Sequence, residues 1–308
     1  GDFAIQQWQR DSNSPVISLG QTGSFDDMHL FAPCVIYQNG VHSMWYSGSR
    51  GEVGDRVFNL GMATSTDGVN FHKCDHNPVY TFGDGRHSIL TPTVLRSPDG
   101  GVLREDGQLR MWFASTDFPT GNGLHTLHAT SSSNGSSWSA PSQALLEDIY
   151  APTIIREDGR YKMWYIDVAE DPWYVRYAES GDGFAWDRSS KPVLQLDQSW
   201  EAGRLFYPTV LKYQEHYFMW YGSYLGQDRQ KTALGFAVSA DGIAWTKNPQ
   251  NPVFQPEPTN TWESHYTTSQ SVIRYPDGSW RIWYATRTGP PFVHKYLAIG
   301  TAHMEDLS

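Results

Sequence analysis

The sequence of 308 residues predicts an all-β fold, a five-bladed β-propeller of four-stranded antiparallel blades that forms a single domain over residues 1–308. Three observations predict it. A Trp-aromatic pair recurs five times, a Ser-x-Asp-Gly or Ser-x-Asn-Gly turn follows four of these pairs, and the two chain ends resemble complementary parts of one unit. Self-similarity at a fixed period indicates an array of repeated structural units. The five pairs are Trp45-Tyr46, Trp112-Phe113, Trp164-Tyr165, Trp220-Tyr221 and Trp283-Tyr284.

Each unit contains four strand-like runs in a constant order. The first is apolar and β-branched and follows a proline in four units, whereas Gln270 takes this place in the fifth. The second carries the Trp-aromatic pair, and the third contains small and polar residues. An Asp-Gly or Asn-Gly turn then leads to the fourth, which is a strong hairpin signal because both central residues favour positive φ. No helical periodicity interrupts this order. The four prolines are Pro33, Pro92, Pro152 and Pro208.

The chain ends predict how the ring closes. Trp8 and Pro15 have the spacing of Phe71 and Pro78, so residues 3–16 resemble a fourth strand without its first three. Residues 295–302 resemble a third strand without its fourth. We therefore expect the N- and C-terminal strands to pair in one blade, residues 3–10 with residues 295–302. Such pairing removes the open edge of the ring.

Composition narrows the classes of partner. The net charge of −10 argues against nucleic acids and anionic membranes, because phosphate binding needs clustered Lys and Arg. No run of about 18 apolar residues predicts a membrane span. No signal peptide is visible, which leaves a cytoplasmic or a mature secreted protein open. Cys34 and Cys74 are expected to be buried thiols rather than a disulfide. No cofactor is predicted, while a bound metal and the oligomeric state are left open.

One column of the repeat points to a binding site. In a propeller, the residues just before the first strands share one face with the loops that join strands two and three. Packing favours the same residue in every blade, whereas a ligand pocket favours different ones. We therefore expect the members of the column four residues before the proline position, which are all polar and all different, around one pocket on the channel axis. They are His29, Ser88, Asp148, Arg204 and Tyr266.

Carboxylates from several blades converge on the same face with His and Arg, as acid–base chemistry requires. We expect Asp27 to act as general base or nucleophile, Glu201 or Glu263 as general acid, and Asp148 to orient its partner. His125 enters the third strand of its blade at this face. Arg204 and Arg287 keep their positive charge at any working pH, so the substrate could carry an acidic group. The candidate substrate-binding residues are His29, His87, Ser88, Tyr150, Arg204, Tyr266, Asp167 and Arg287.

The Ala-Pro inner strands (Ala32-Pro33, Ala151-Pro152), the Met-Trp-Tyr second strands and the Ser-x-Asp-Gly-x-x-Trp turns resemble a known superfamily. It is that of the five-bladed propeller glycosidases, glycoside hydrolase families 32, 43, 62, 68, 117 and 130. The resemblance covers nearly the whole chain and implies the propeller fold and a carbohydrate-active enzyme. The standard motif residues are absent. Ala32 stands where family 43-like enzymes have Asp before the first proline, and Tyr150 and Phe206 stand where they have the acid Glu.

The function predicted first is a glycoside hydrolase that acts on a furanoside or short oligosaccharide, by carboxylate acid–base catalysis in the central pocket. The partner would be a small carbohydrate or glycoside-like substrate. One alternative is a propeller enzyme of another type, a lyase, cyclase or transferase, that uses His29 or His87 with Asp148. A second alternative is a non-catalytic sugar-binding module. Such a module usually repeats its site in every blade, whereas the variable column favours one central site.

Overall fold

The computed structural model describes residues 5–119, 123–289 and 296–305. Five antiparallel sheets surround a central channel, which confirms the five-bladed propeller. Two short strands near the N-terminus are β1 (Gln9–Arg10) and β2 (Ile17–Ser18). Blade 1 contains β3 (His29–Gln38), β4 (Val41–Ser49), β5 (Asn59–Ser65) and β6 (His72–Lys73), and blade 2 contains β7 (Leu90–Val94), β8 (Leu109–Ser115), β9 (Thr126–Ser132) and β10 (Leu146–Glu147).

The remaining blades follow in chain order, each with its first strand innermost. Blade 3 contains β11 (Ile149–Glu157), β12 (Arg160–Asp167), β13 (Tyr174–Ser180) and β14 (Trp186–Arg188). Blade 4 contains β15 (Glu201–Tyr213), β16 (His216–Leu225), β17 (Thr232–Ser239) and β18 (Trp245–Lys247), and blade 5 contains β19 (Tyr266–Arg274), β20 (Trp280–Arg287) and β21 (Ala298–Met304). Two 3₁₀ turns cover Val53–Asp55 and Thr261–Glu263.

The two chain ends complete blade 5 together, as predicted. Strand β1 pairs with β21 through Gln9 and His303, and β2 pairs with the same strand through Ile17 and Ile299. The expected pairing of residues 3–10 with residues 295–302 is confirmed at Arg10 and Ala302, and the contact extends beyond the predicted ranges to His303 and to Ile17. Residues 3, 4 and 295 lie outside the described residues.

A β-bulge interrupts every inner strand at the residues around the proline position. Proline cannot donate a ladder hydrogen bond, and bulges re-aim the side chains that flank them. The residue before the proline position has a left-handed backbone in each blade. These residues are Ala32 (φ 57°), Thr91 (φ 48°), Ala151 (φ 53°), Tyr207 (φ 41°) and Ser269 (φ 53°). The ring of bulges therefore separates the pocket, on one side, from the channel on the other.

A hydrogen bond from the indole of a tryptophan joins each blade to the next, and we call this contact a latch. The indole Nε1 of Trp164 donates to the carbonyl of Gly242, 2.8 Å away in the turn of the following blade, and Trp283 closes the ring by donating to Gly68 at 2.9 Å. The turn glycine has φ of 82° in Gly242, and a Cβ there would lie 2.8 Å from the Trp164 ring, so the turn requires glycine. The same bond joins Trp45 to Gly135 and Trp112 to Gly183.

Blade 4 uses a different latch. Because the fourth strand of blade 5 comes from the N-terminus, no Ser-x-Asp-Gly turn stands beside Trp220, and its Nε1 donates instead to Oε1 of Gln6 at 3.1 Å. The latches explain why the Trp pairs and the turns recur together in the sequence. Both cysteines, Cys34 and Cys74, are free thiols. In the described part of the chain, no helix is long and apolar enough to cross a membrane.

Candidate functional site

A cavity of about 310 Å³ lies where the inner strands begin. All five blades contribute, through the starts of the inner strands and through the loops that join second and third strands. Small-molecule sites usually measure roughly 300–1,000 Å³. The walls are mainly aromatic: Phe31, Phe58, Phe118, Tyr150, Trp173, Phe206, Tyr207, Tyr224, Tyr266 and Tyr296. The basic residues in the walls are His29, Arg56, His125, Arg204 and Arg287, and no Asp or Glu is among the described lining residues.

Tyr207 forms the floor of this pocket. It also borders the narrower channel beyond, of about 50 Å³, so this residue lies between the two cavities. Its ring lies 6.5 Å from Phe31 of blade 1 and 5.6 Å from Tyr150 of blade 3. Deeper in the channel, Arg96 donates to the carbonyls of Val35 at 2.6 Å and Val272 at 3.1 Å. A ligand would therefore enter from the pocket face.

Three tyrosines lie at the floor. The hydroxyls of Tyr150 and Tyr207 are 3.1 Å apart, and Tyr296 is close enough to influence the pKa of Tyr207. Burial raises the pKa of all three phenols, and for Tyr207 the neighbouring Tyr150 and Tyr296 raise the pKa further. Each hydroxyl is therefore protonated near neutral pH and can donate a hydrogen bond or a proton.

Two arginines give the pocket positive charge. The guanidinium of Arg287 lies 4.0 Å from the ring centre of Tyr296, and that of Arg56 lies 4.2 Å from the ring centre of Phe118. Burial lowers the pKa of Arg56, and the charge of Arg287 lowers this pKa further. Arginine stays charged at any working pH, so the two side chains attract an anion into the aromatic pocket.

Arg204 has a different environment at the rim. Its guanidinium makes a bidentate ion pair with Asp171, at 2.8 and 3.1 Å, and stacks 3.9 Å from the ring centre of Trp173. The pair lowers the pKa of Asp171. Because this carboxylate compensates the charge of Arg204, the side chain forms a stacked wall of the pocket.

One ring nitrogen of His125 has no hydrogen-bond partner among residues 5–119, 123–289 and 296–305. Its Nδ1 lies 3.0 Å from the carbonyl of Gly123, so Nδ1 carries the proton in the neutral ring and Nε2 has the lone pair. Burial lowers the pKa of His125, although the carboxylate of Asp148 opposes this effect. The ring lies 5.5 Å from that of Tyr150. A neutral imidazole near pH 7 can accept a proton through Nε2.

Of the predicted substrate-binding residues, His29, Tyr150, Arg204, Tyr266 and Arg287 line the pocket. Three members of the polar column are therefore at the pocket, and the other two, Ser88 and Asp148, are outside its lining.

The remaining predicted binding residues have partners elsewhere. The Oγ of Ser88 accepts from the backbone N–H of Phe58 at 3.0 Å, which fixes a wall residue. The backbone of Asp148 donates to the carbonyl of His125 at 2.7 Å. Outside the pocket lining, His87 pairs with Asp84 and Asp167 accepts from Arg176 at 3.1 Å.

The predicted acids Glu201 and Glu263 lie in buried networks instead of the pocket. Glu201 accepts from the Tyr221 hydroxyl at 2.6 Å and from Lys247 Nζ at 2.8 Å. Glu263 accepts from the Tyr284 hydroxyl and from Arg10 Nε, both at 2.8 Å. Asp26 repeats this arrangement in blade 1 with Tyr46 and Lys73.

The shared pattern joins an acid at or just before the start of the inner strand, the tyrosine of the second strand and a cation from the fourth strand. It is a packing element of three blades, so the geometry does not support catalytic roles for Glu201 and Glu263. The remaining candidate base, Asp27, accepts from the backbone N–H groups of Gly23 at 2.7 Å and Gly51 at 3.1 Å. It connects two loops and is not among the residues that line the pocket.

Three lining residues were not predicted from the sequence: Arg56, Phe118 and Tyr296. They lie in or beside loops that have no equivalent positions in the other blades. Within residues 5–119, 123–289 and 296–305, no group of three or more His, Cys, Asp or Glu side chains is arranged to hold a metal ion. The arrangement can hold an anion beside aromatic rings, donate protons from tyrosines and accept one at His125.

Comparisons with known proteins agree with the architecture. No family model matches the chain. Two uncharacterised proteins of Mycobacterium tuberculosis, strains CDC 1551 / Oshkosh and ATCC 25618 / H37Rv, are each 25% identical in an alignment of 239 residues that covers 73% of this chain and 76% of each relative.

Solved structures are similar over nearly the whole chain. A glycoside hydrolase is 16% identical with a TM-score of 0.79, over 99% of this chain and 94% of that one. A structure of the glycoside hydrolase family 130, described as containing hydrolases of β-1,2 mannosidic linkages in Candida mannan, has a TM-score of 0.70 at 16% identity, over 98% and 95%. An N-acetylgalactosamine deacetylase from F. plautii, in complex with blood group B trisaccharide, has a TM-score of 0.72 at 16% identity, over 97% and 95%. These likenesses confirm the five-bladed fold.

Proposed function

We propose that this chain is a carbohydrate-active enzyme whose central pocket takes a short glycoside carrying an acidic group. One observation carries the proposal. The pocket combines aromatic walls with the guanidinium groups of Arg56 and Arg287, and the described lining contains no carboxylate. Aromatic rings pack against the apolar faces of sugars, while tyrosine and arginine donors suit hydroxyl and carboxylate oxygens.

The assignment of groups follows from their surroundings. Arg287 and Arg56 hold the anionic group, because each packs on aromatic rings and they raise the local positive potential together. Trp173, held by the ion-paired Arg204, offers a ring face to the sugar. The protein as a whole carries a charge of −10, so a positive pocket would select for its ligand by local electrostatics rather than by net charge.

The comparisons support the carbohydrate part of this proposal at the level of fold. Neighbours with the same architecture are described as glycoside hydrolases and as a deacetylase bound to a trisaccharide. A single, non-repeating pocket favours an enzyme over a sugar-binding module, whose site would recur in each blade. Hydrolysis by carboxylates stays a prediction for Asp27 and Asp148, with Asp148 next to His125 through its backbone.

Binding of matched acidic and neutral sugars tests the proposal. We expect digalacturonate to bind wild-type protein at least ~10-fold more tightly than the neutral galactose disaccharide, which corresponds to about 1.4 kcal/mol. An Arg287→Gln variant should lose most of this preference, because the guanidinium that pairs with the carboxylate is gone. Isothermal titration calorimetry measures both, with thermal melting as a check of folding.

Two further variants make the test specific. Arg104→Gln is the matched control, since Arg104 is exposed and bonds to the carbonyls of Gly107 and Ser133 outside the pocket. Glu201→Gln, where it folds, should keep the binding of the wild-type protein. Equal affinity for acidic and neutral sugars, or an Arg287→Gln protein that binds as the wild type does, would contradict the proposed function.

A further inference from the structure

The described lining of the pocket lacks the groups that glycoside hydrolysis by the usual routes needs. Retaining and inverting hydrolases place two carboxyl groups on either side of the scissile bond. Here the walls offer His125 and His29, tyrosine hydroxyls and arginines, with no Asp or Glu among the residues described. Another reaction of acidic sugars uses just these residue types. It is β-elimination, which breaks the bond to the oxygen β to a carboxylate.

This elimination needs three groups. A cation must stabilise the negative charge that develops on the carboxylate when the neighbouring carbon loses its proton. A neutral base must take that proton, and a donor must protonate the departing oxygen. Arg287 and Arg56 supply the first. The second and third come from His125 and from the tyrosines of the floor, which stand next to each other in the pocket.

The contacts of His125 fit the base. The carbonyl of Gly123, 3.0 Å from Nδ1, holds the proton on that nitrogen and leaves the Nε2 lone pair available. The ring packs 5.5 Å from Tyr150, whose hydroxyl is 3.1 Å from that of Tyr207. Base and donor therefore occupy one side of the pocket, within one chain of contacts.

We infer that the pocket cleaves a 4-O-linked uronic acid glycoside by β-elimination, with His125 as the base and the Tyr150–Tyr207 pair as the proton donor. The inference rests on the proposed function, because it assumes an acidic glycoside bound at Arg287 and Arg56. It adds the reaction class, which the affinity for acidic sugars does not define.

The step balances without any co-reactant. Nε2 of His125 takes the proton from C5, the carbon next to the carboxylate, and the electron pair of that C–H bond forms the C4–C5 double bond. The C4–O4 bond breaks and its electron pair stays on the oxygen, which receives a proton from a tyrosine hydroxyl. The products are an unsaturated uronate and an alcohol. Exchange with solvent returns the His125 proton and reprotonates the tyrosine, and no water is consumed.

The ionisation states agree with this assignment. Burial lowers the pKa of His125, so the ring is neutral near pH 7, against the opposing influence of Asp148. Burial also raises the pKa values of Tyr150 and Tyr207, which keeps both phenols protonated as donors. The base is thus unprotonated and the acid protonated under the same conditions.

The experiment separates elimination from hydrolysis by the fate of water. The wild-type protein is incubated with 4-linked disaccharides of galacturonate, mannuronate, guluronate and glucuronate in ¹⁸O-labelled water. Elimination gives the ultraviolet absorbance of a double bond conjugated to a carboxylate, and products free of ¹⁸O. We expect this result with at least one of these disaccharides. Hydrolysis gives ¹⁸O in the new reducing end and no such absorbance.

Two pairs of variants test the residues. His125→Ala should lower kcat by at least ~10²-fold, the lower range for loss of acid–base catalysis, with little change in the Kd from calorimetry. Its control is His216→Ala, because His216 makes the same bond to a carbonyl two residues earlier, Gln214 at 3.1 Å, outside the pocket. Tyr207→Phe should also lower kcat, and Tyr165→Phe, which removes a buried hydroxyl without a hydrogen-bond partner among the described residues, should not.

The outcomes are distinguishable. Labelled reducing ends, binding without any product, or full activity in His125→Ala would each overturn the elimination and leave the binding of acidic sugars standing. Failure of all four disaccharides to bind would overturn the inference together with the proposed function. Unsaturated, unlabelled product that disappears in His125→Ala but persists in His216→Ala would support it.

Discussion

The latches that join the blades and the central pocket are built from the same five repeats. The latches use the same residue types in four blades, whereas the pocket uses different ones. Each of four latches uses the same pair, an indole Nε1 and a turn glycine carbonyl, at 2.8 to 2.9 Å. The pocket uses the repeat unevenly, since His29, Arg204 and Tyr266 line it from one position of the repeat while the equivalent residues of the other two blades do not. Packing between blades sets one geometric requirement and repeats it, whereas a single ligand contacts each blade through a different part of its surface.

The buried carboxylates belong with the latches. Asp26, Glu201 and Glu263 each accept from the tyrosine of the Trp-Tyr pair, at 2.9, 2.6 and 2.8 Å, and from a cation of the fourth strand. Their position at or just before the start of the inner strand resembles that of a catalytic acid in the sequence. Recurrence in three blades with the same partners marks them as part of the scaffold, and this criterion separates them from the pocket residues.

The largest loss in the free energy of unfolding should come from removing the tryptophan of a latch. Trp164 is fully buried, donates to Gly242 at 2.8 Å and packs 5.1 Å from Tyr177. Trp164→Ala should lower the free energy of unfolding by about 3–5 kcal/mol, because it removes a large side chain from a packed interface. Denaturant titration followed by circular dichroism measures this loss.

The pocket supplies the matched control for this change. Trp173→Ala removes a partly exposed ring that stacks on Arg204, so it should affect ligand binding far more than unfolding. If both tryptophans cost the same free energy of unfolding, the distinction between latch and pocket residues would be wrong.

A smaller loss in the free energy of unfolding is expected when a charge network between blades 3 and 4 is disrupted. Glu157 accepts from Lys162 Nζ at 2.8 Å and Lys212 Nζ at 2.9 Å, and from the Tyr217 hydroxyl. Burial acts to raise the pKa of Glu157, but the hydrogen bonds from Lys162, Tyr217 and Lys212 outweigh it and lower the pKa to about 2. The folded pKa is below the unfolded value of about 4.3, so the stabilisation is present above about pH 4.3 and is lost as the pH falls towards 2.

Glu157→Gln should therefore lower the free energy of unfolding at pH 7 by about 1–3 kcal/mol. It should also flatten the dependence of stability on pH between about 4.3 and 2, since the group that titrates there is gone. Urea titrations at a series of pH values measure both effects. Glu170→Gln, at an exposed glutamate of blade 3, is the control. An unchanged pH profile in Glu157→Gln would show that other carboxylates control acid stability.

The repeated strands and turns could be predicted from the sequence because each blade must make an equivalent contact with the next one to close the ring. Trp45, Gly135 and their equivalents define one contact that is required at each blade interface, so the pattern appears at a constant period. The pairing in blade 5 follows the same rule. Arg10 and Ile17 contact β21 in two places, as Lys73 and Tyr80 contact β5 in blade 1, so the spacing that Trp8 and Pro15 share with Phe71 and Pro78 also indicates this register.

The pocket was predictable only where it uses the repeat. His29, Arg204 and Tyr266 were found by aligning the blades at the proline position, and all three line the pocket. The position directly before the proline also holds a signal, since it is small in four blades and is Tyr207 in the fourth blade. Arg56 stands in a loop between strands two and three that has no counterpart to align.

The smallest loss in the free energy of unfolding should come from a change in the latch of blade 4, which differs from the other four. Gln6 accepts from Trp220 Nε1 at 3.1 Å and from Trp8 Nε1 at 2.9 Å, in place of a turn glycine. Gln6→Ala leaves both rings in position and removes only these bonds, so we expect a loss of about 1 kcal/mol in the free energy of unfolding. The neighbouring Gln7→Ala, at an exposed side chain, should leave stability unchanged in the same denaturant titration. A loss from Gln6→Ala as large as that from Trp164→Ala would mean that the hydrogen bond, rather than the packing of the indole, holds the blades together.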